Sequence, residues 1–277
     1  MLIATWNVNS IRSRLSQVED FLDEVRPDLL CLQETKVEDK LFPKIAFEKK
    51  DYHVKTYGQK AYNGVALISK MPLEDVRLGM KGELNEGADS IFFDEQKRII
   101  SALVDGVRVV NVYVPNGASL NSEKYDYKIK WLDYLSKYLL SQLKREEPLC
   151  LLGDFNIALE EKDIYNQNRF NNGIMASKEE RDSLKNLLEN NNLEDVFRLY
   201  EQNSGHWSWW DYRSGSWQRD EGWRIDHIYL SAELIENSKS CMIFKKARAN
   251  SRPSDHAPVL VEINWPPSEV EDNYIFG

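Results

Sequence analysis

Six polar residues in this chain stand where apolar runs stop. Glu34 follows LLCLQ, Asp154 and Asn156 lie in GDFN at the end of LCLLG, Asp226 lies in RIDH, and Asp255 and His256 lie in SDHAP just before PVLVEI. A carboxylate at the end of a buried run is costly unless something compensates it. A hard divalent cation would, because Mg²⁺ favours a few carboxylates plus water. A carboxylate beside a fixed carboxamide suits the activation and orientation of water. Gly153 lets the backbone turn closely, and residues 154 and 156 can face one side. His256 needs a partner to fix its tautomer. The adjacent Asp255 points elsewhere, so Asp226, on a separate strand, is the better candidate, and Asp255 is free to approach metal. Asn7, Asn9, Tyr113 and Asn116, near other strand ends, are neutral groups that can bind phosphate oxygens without adding charge.

Each segment also has a plainer reading. Glu34 could be a strand-end carboxylate paired with Lys36 or an arginine. GDFN could be an ordinary turn, Asp255-His256 a surface polar pair, and Tyr113 a core tyrosine with a satisfied hydroxyl. Other chemistries fit worse. The sequence lacks G-x-x-x-x-G-K-[ST], G-x-G-x-x-G and G-x-S-x-G. His53, His206 and His227 have no zinc-ligand spacing. His53 and His206 read as surface or structural residues, and His227 alternates away from Asp226 towards the other face of its strand.

Elements that could position these groups are legible. LIATWNV, LLCLQ, GVALIS (64–69), LCLLG, IDHIYLS and PVLVEI read as strands, and residues 99–104 and 107–114 as a hairpin around Asp105-Gly106. Ile11, Leu15, Val18, Leu22 and Val25 recur at helical spacing over 11–25, ended by Pro27. Residues 122–145 carry Trp131, Leu132, Leu135, Leu139 and Leu143 on one stripe, and 178–190 form a helix rich in Glu and Lys. No internal repeat and no low-complexity linker are visible. Interleaved strands and helices predict one α/β domain over 1–265, with an extended surface tail, PPSEVEDNYIFG, over 266–277. The endings TWNVN, CLQE, VYVPN, LLGDFN, RIDH and SDH suggest one shared cleft, because ligand sites in α/β sheets collect at strand ends.

Composition narrows the class. Hydrophobic residues are 42% and charged residues 29% of 277, which is globular. MLIATWNVNS has no basic leader with an apolar stretch, and no apolar run is long enough to cross a bilayer. The expectation is a cytoplasmic protein without a membrane partner. Cys31, Cys150 and Cys241, odd in number and without C-x-x-C spacing, read as inert buried thiols. The net charge of −9 counts against a nucleic-acid partner. Binding depends on local potential, however, and carboxylates that hold metal contribute to the total. If DNA is the substrate, Arg12, Lys36, Arg98 and the stretch KKARANSR (245–252) are the basic groups that would gather on one face.

In combination, TWNVNSIRSR, LLCLQETK, NGVALIS, VNVYVPNG, LLGDFN, WSWWDYR, GWRIDHIYLS and SDHAPV, in this order from residue 5 to 259, resemble the exonuclease III family of DNA repair nucleases. That family lies within the endonuclease/exonuclease/phosphatase superfamily. The resemblance implies a four-layer α/β sandwich, two mixed sheets face to face with helices outside. It implies that Glu34, with Asn7 nearby, holds Mg²⁺, with Mn²⁺ substituting. It makes Asp154 the group that activates water or protonates the leaving group, Asn156 its orienting partner, His256 the phosphate-facing histidine and Asp226 its holder. Asp255 becomes a second metal contact, and Tyr113 and Asn116 bind phosphate. Arg12, Lys36 and Arg98 lie beside DNA, and Trp209, Trp223 and Ile225 line a pocket for a base-free sugar.

The implied activities are cleavage 5′ to abasic sites, removal of 3′ blocks and 3′→5′ exonuclease action on double-stranded DNA, by a monomer. The chain departs from some relatives at Ser119, where they carry a basic residue that presses on DNA. Two alternatives remain at this level. One is a phosphodiesterase of the same superfamily acting on RNA or phospholipid head groups. The other is a non-catalytic DNA-binding module.

Overall fold

The computed structural model describes residues 1–80, 93–143, 147–170 and 172–266. Among them twelve strands form two six-stranded sheets. The strands are β1 (Leu2–Asn7), β2 (Leu29–Gln33), β3 (His53–Tyr57), β4 (Val65–Ser69), β5 (Glu74–Leu78), β6 (Ile99–Val104), β7 (Val107–Tyr113), β8 (Leu149–Asp154), β9 (Leu193–Asp195), β10 (Asp226–Ser231), β11 (Ser238–Ile243) and β12 (Val259–Ile263). One sheet runs β11-β12-β1-β2-β4-β3 and the other β5-β6-β7-β8-β10-β9.

The apolar runs are continuous because their strands are buried on both faces. On β1, Ile3 joins the core between the sheets, while Ala4 and Trp6 pack outward against the helix Ile11–Val25. On β8, Cys150 and Leu152 point inward. Leu149 and Leu151 point out, into a cluster with Trp131, Leu132, Leu135 and Leu139 of the helix Glu123–Leu143 and with Leu184 and Leu187 of Lys178–Asn190. Helices, sheet, sheet and helices make the four-layer α/β sandwich.

The helix expected over 122–145 is observed as Glu123–Leu143; residues 144 and 145 lie outside the described residues, as does the tail from 267. The turn Asp105-Gly106 has both φ angles positive, 49° and 79°, as the tightest hairpin link requires. The absence of a repeat in the residues does not extend to the topology. Each sheet contains a parallel pair, β1–β2 or β7–β8, with the helix Ile11–Val25 or Glu123–Leu143 between its strands in the chain. Each pair is flanked by antiparallel neighbours, β12 and β4 in one sheet, β6 and β10 in the other. The fold repeats itself without repeating its residues, because one burial pattern can be met by many apolar sequences.

A polar contact fixes the sheets against each other just below the strand ends. Gln33 Nε2 donates to Asn111 Oδ1 at 2.7 Å and to Thr5 Oγ1 at 2.8 Å, and Asn111 Nδ2 donates to the carbonyls of Leu32 and Ala66. Gly153 is required where β8 passes β7. Its φ is +141°, and a Cβ there would lie 2.0 Å from the Val112 carbonyl oxygen.

Candidate active site

The ends of the two parallel pairs deliver the site. Asn7 ends β1, Glu34 follows β2, Tyr113 ends β7, and Asp154 ends β8. Register aligns Asp154 with Tyr113 on one side and with Asp226, the first residue of β10, on the other. His256 stands ahead of β12, tied by an isolated bridge to Trp209.

One amide links the two key carboxylates. Asn7 Nδ2 donates to Glu34 Oε1 at 2.9 Å and to Asp154 Oδ2 at 2.8 Å. The Asn156 backbone N–H holds Asp154 Oδ1 at 2.9 Å, so that carboxylate is clamped at both oxygens. Asn156 Nδ2 donates to the Val114 carbonyl, and its Oδ1 accepts from Asn116 Nδ2 at 3.0 Å. Glu34 and Asn156 both sit at φ 50°, a strained setting for a glutamate that persists only when neighbours over-determine it. His256 Nδ1 lies 2.8 and 3.1 Å from the two Asp226 oxygens, and its Nε2 faces Asp154 Oδ2 at 3.8 Å.

Burial pushes the Asp154 pKa up to about 7, with the Asp226 and Glu34 carboxylates adding to it against the pull of His256 and the Asn7 hydrogen bond. Burial opposes a charged His256 ring, but the carboxylates of Asp226 and Asp154 outweigh it and raise its pKa to about 10. Burial and the nearby Glu34 carboxylate hold the Tyr113 hydroxyl well above its ordinary value, so it is a neutral group.

Glu34, Asp154 and His256 offer ligand atoms within 4.8 Å of one another. Two anionic oxygens bridged by a neutral amide fit a hard divalent cation. Lys36 Nζ already stands 2.7 Å from Glu34 Oε2, so the cation-favouring carboxylate and the Lys36 ion pair coexist. Asp255 lies outside this cluster. Its Oδ1 accepts from Asn9 Nδ2 and its Oδ2 from Trp209 Nε1, each at 3.0 Å. Burial would raise its pKa, but His256 and these two donors hold it below the usual carboxylate range. Asn9 Oδ1 in turn accepts from Lys36 Nζ at 2.5 Å.

Trp209 is half-buried and meets Trp223 edge-on, with ring centroids 6.4 Å apart. Trp223 and Ile225 are buried in one apolar cluster with Ala158, Ile164 and Met175. Arg98 lies over the Tyr113 ring at 4.7 Å and donates to its carbonyl, and Arg12 is exposed. Within 245–252, Lys245 pairs with Asp220, Lys246 with Glu24, and buried Arg248 donates to the Ser254 carbonyl. His227 is buried and its Nε2 faces the Ile157 carbonyl, away from the cleft. His53 is exposed, and His206 pairs with Glu201 at 3.2 Å.

Two serines escaped the sequence reading. Ser208 Oγ donates to Asp226 Oδ2 at 2.6 Å and accepts from the N–H groups of Ile225 and Asp226. Ser254 Oγ donates to the Asn7 carbonyl and accepts from the His256 N–H. The Ser208 partners and the Asn7 carbonyl are distant in sequence; only the bond from the His256 N–H to Ser254 is local.

A family model described as endonuclease/exonuclease/phosphatase matches residues 4–256. The chain belongs to this family. It is 35% identical over 273 residues to exodeoxyribonuclease III of Haemophilus influenzae, covering 95% of this chain and 99% of that one. It is 33% identical over 268 residues to an exodeoxyribonuclease of Bacillus subtilis, covering 95% and 100%. Among solved structures, a 3′-5′ exonuclease from Neisseria meningitidis superposes with a TM-score of 0.89 at 40% identity, covering 96% of this chain and 100% of that one. An AP endonuclease from Archaeoglobus fulgidus also gives 0.89, at 37% identity, covering 95% and 99%. This member of the family has no helix, among its described residues, long and apolar enough to cross a membrane.

Proposed function

We propose that this family member is a metal-dependent DNA repair phosphodiesterase. Its activities are incision 5′ to abasic sites, removal of 3′ blocks and 3′→5′ removal of nucleotides from double-stranded DNA, and it acts as a monomer in the cytoplasm. The observation that carries the proposal is the Asn7 amide bridging Glu34 and Asp154 opposite the His256–Asp226 pair. The names of the exodeoxyribonuclease and AP endonuclease relatives support DNA over phospholipid or RNA as substrate. The intact catalytic set argues against a non-catalytic binding module.

Glu34, with Asn7 alongside, would hold Mg²⁺ or Mn²⁺, which supplies charge neutralisation at the phosphate and the leaving oxygen. Asp154 handles the proton. Its pKa of about 7 lets it accept from water, or donate to the departing oxygen, near neutral pH. The Asn156 N–H fixes its rotation. His256, kept cationic by Asp226, stabilises the non-bridging oxygens as charge develops. Asn116, Asn9 and Tyr113 orient them from the other strand ends. Asp255 contributes by accepting from Asn9 and Trp209, which sets both side chains beside the cleft. Arg12, Lys36 and Arg98 meet the flanking DNA backbone. Trp209, Trp223 and Ile225 accept the extruded sugar, which lacks a base edge to hydrogen-bond.

The test is an assay with Mg²⁺ on three duplexes: an internal abasic site, a 3′-phosphate and a plain recessed 3′ end. Cleavage of all three should stop on chelation. Purified, folded Asp154→Asn should lose several orders of magnitude in turnover, and near-normal turnover would refute the assignment.

A further inference from the structure

Lys128 and Glu180 form an ion pair in which both side chains are fully buried. Such a pair adds little stability over a well-packed apolar pair of similar volume. Its geometry suggests a different purpose. The Lys128 ammonium donates to Glu180 Oε1 at 2.5 Å, to the Asn156 carbonyl at 2.8 Å and to the Asn116 carbonyl at 3.3 Å, so all its hydrogens have acceptors. Glu180 spends its remaining capacity on the N–H groups of Met175 and Ser177 and on the Ser177 hydroxyl. The Lys128 stem runs beneath Gly117, where a Cβ would lie 3.2 Å from Lys128 Cδ. Asn116 and Asn156 are the two asparagines whose side chains bond each other at the cleft, and Met175 Sδ lies 3.4 Å from Asn116 Nδ2. Met175 also belongs to the apolar cluster of Trp223 and Ile225.

We propose that the Lys128–Glu180 pair is a positioning strut, setting the Asn116–Asn156 amide pair in register with the Met175 wall of the apolar pocket. An apolar replacement would fill the space but would leave both asparagine carbonyls unheld. The inference rests on the reading of the cleft as a phosphodiester site. It reaches residues that touch no substrate.

The test compares wild type, Lys128→Met, Lys128→Met/Glu180→Gln and the isosteric Glu180→Gln on the abasic duplex with Mg²⁺, with thermal unfolding in parallel. Lys128→Met strands a buried carboxylate and should lose both stability and turnover. The double variant should recover most of the melting temperature. Its kcat should stay about 10- to 100-fold below wild type with KM nearly unchanged, the scale expected when reacting groups shift by about 1 Å. Glu180→Gln strands the buried Lys128 ammonium, so it should lose melting temperature as Lys128→Met does, with kcat lowered about threefold and KM nearly unchanged. A merely structural role predicts that kcat returns with the melting temperature, and that result overturns the strut. If wild type itself fails to cleave, the reading of the cleft falls and the strut with it; if wild type cleaves and the variants match it, the strut alone falls.

Discussion

Replacing Asp226 with asparagine keeps the shape at His256 Nδ1 and removes the charge. In the native site the Asp226 oxygens stand 2.8 and 3.1 Å from Nδ1, and Asp154 Oδ2 stands 3.8 Å from Nε2. Against the cost of burial, these neighbours raise the ring's pKa from 6.5 to about 10. That corresponds to roughly 4–5 kcal/mol in favour of the imidazolium. A group with a raised pKa is charged below it, so the native ring is cationic throughout the neutral range. In Asp226→Asn, burial acts with one carboxylate fewer to oppose it. The pKa falls towards or below its ordinary value, and the ring is neutral at about pH 8. Losing one preorganised stabiliser of transition-state charge costs about 10²–10³ in kcat. Single-turnover cleavage of the abasic duplex should therefore fall by that factor at about pH 8. The ratio of wild-type to variant rate should shrink as pH drops towards 6 and the ring recharges. Taking the ratio cancels any pH dependence of metal binding common to both proteins. A ratio below about threefold, or one that does not change with pH, in a variant with unaltered circular dichroism, would refute the reasoning.

Three further outcomes follow from particular contacts. Arg224 bonds Asp163 at 2.7 Å and Asp195 at 2.7 Å, all three largely or fully buried, and Arg198 also meets Asp163. Arg224→Leu should lower the unfolding free energy by about 3–5 kcal/mol, measured by urea titration, because it strands buried carboxylates. Burial alone would raise the Asp163 pKa, but Arg224 and Arg198 hold it well below the carboxylate range. Its contribution is therefore present above the unfolded pKa of about 4 and is lost as pH falls towards the folded value, so wild type should lose more stability than the variant between about pH 7 and pH 3. Gly153→Ala drives a Cβ into the Val112 carbonyl. It should cost about 3 kcal/mol or more and lower the melting temperature by roughly 6–12 °C in thermal circular dichroism. Trp209→Ala removes the indole that meets Trp223 and holds Asp255. Abasic incision should fall about tenfold further than 3′-nucleotide removal, and an equal loss in both assays would count against a sugar pocket.

The eight strands recognised from periodicity all lie inside the sheets, and the four that were not, β3, β5, β9 and β11, are the four sheet edges. An inner strand is apolar on both faces and stands out as a continuous run. An edge strand is half-solvated and carries charge, as HVKTY and EDVRL do, and so reads like a loop. The site divides in a similar way. Asp226 was separable from Asp255 as the partner of His256 because a side chain cannot readily serve its chain neighbour. The occupancy of both Asp255 oxygens by Asn9 and Trp209 was not legible, since those partners come from two distant segments. Lys128 and Glu180 gave no signal, because a lysine among four in its helix and a glutamate among three in its own look solvent-exposed until packing buries them.

By itself, then, the sequence determined which residue types end which strands: carboxylates, amides and a histidine each placed after or before an apolar run, a pattern local in the chain and readable from alternation. Only the tertiary structure decided how they meet. The two parallel pairs point their ends into one cleft, where Asn7 bonds Glu34, 27 residues along the chain, and Asp154, 147 residues along. Burial then raises the pKa of Asp154, and the Asp226 and Asp154 carboxylates, against burial, raise that of His256. Those are through-space electrostatic and desolvation effects, and they depend on distances that no spacing along the chain contains.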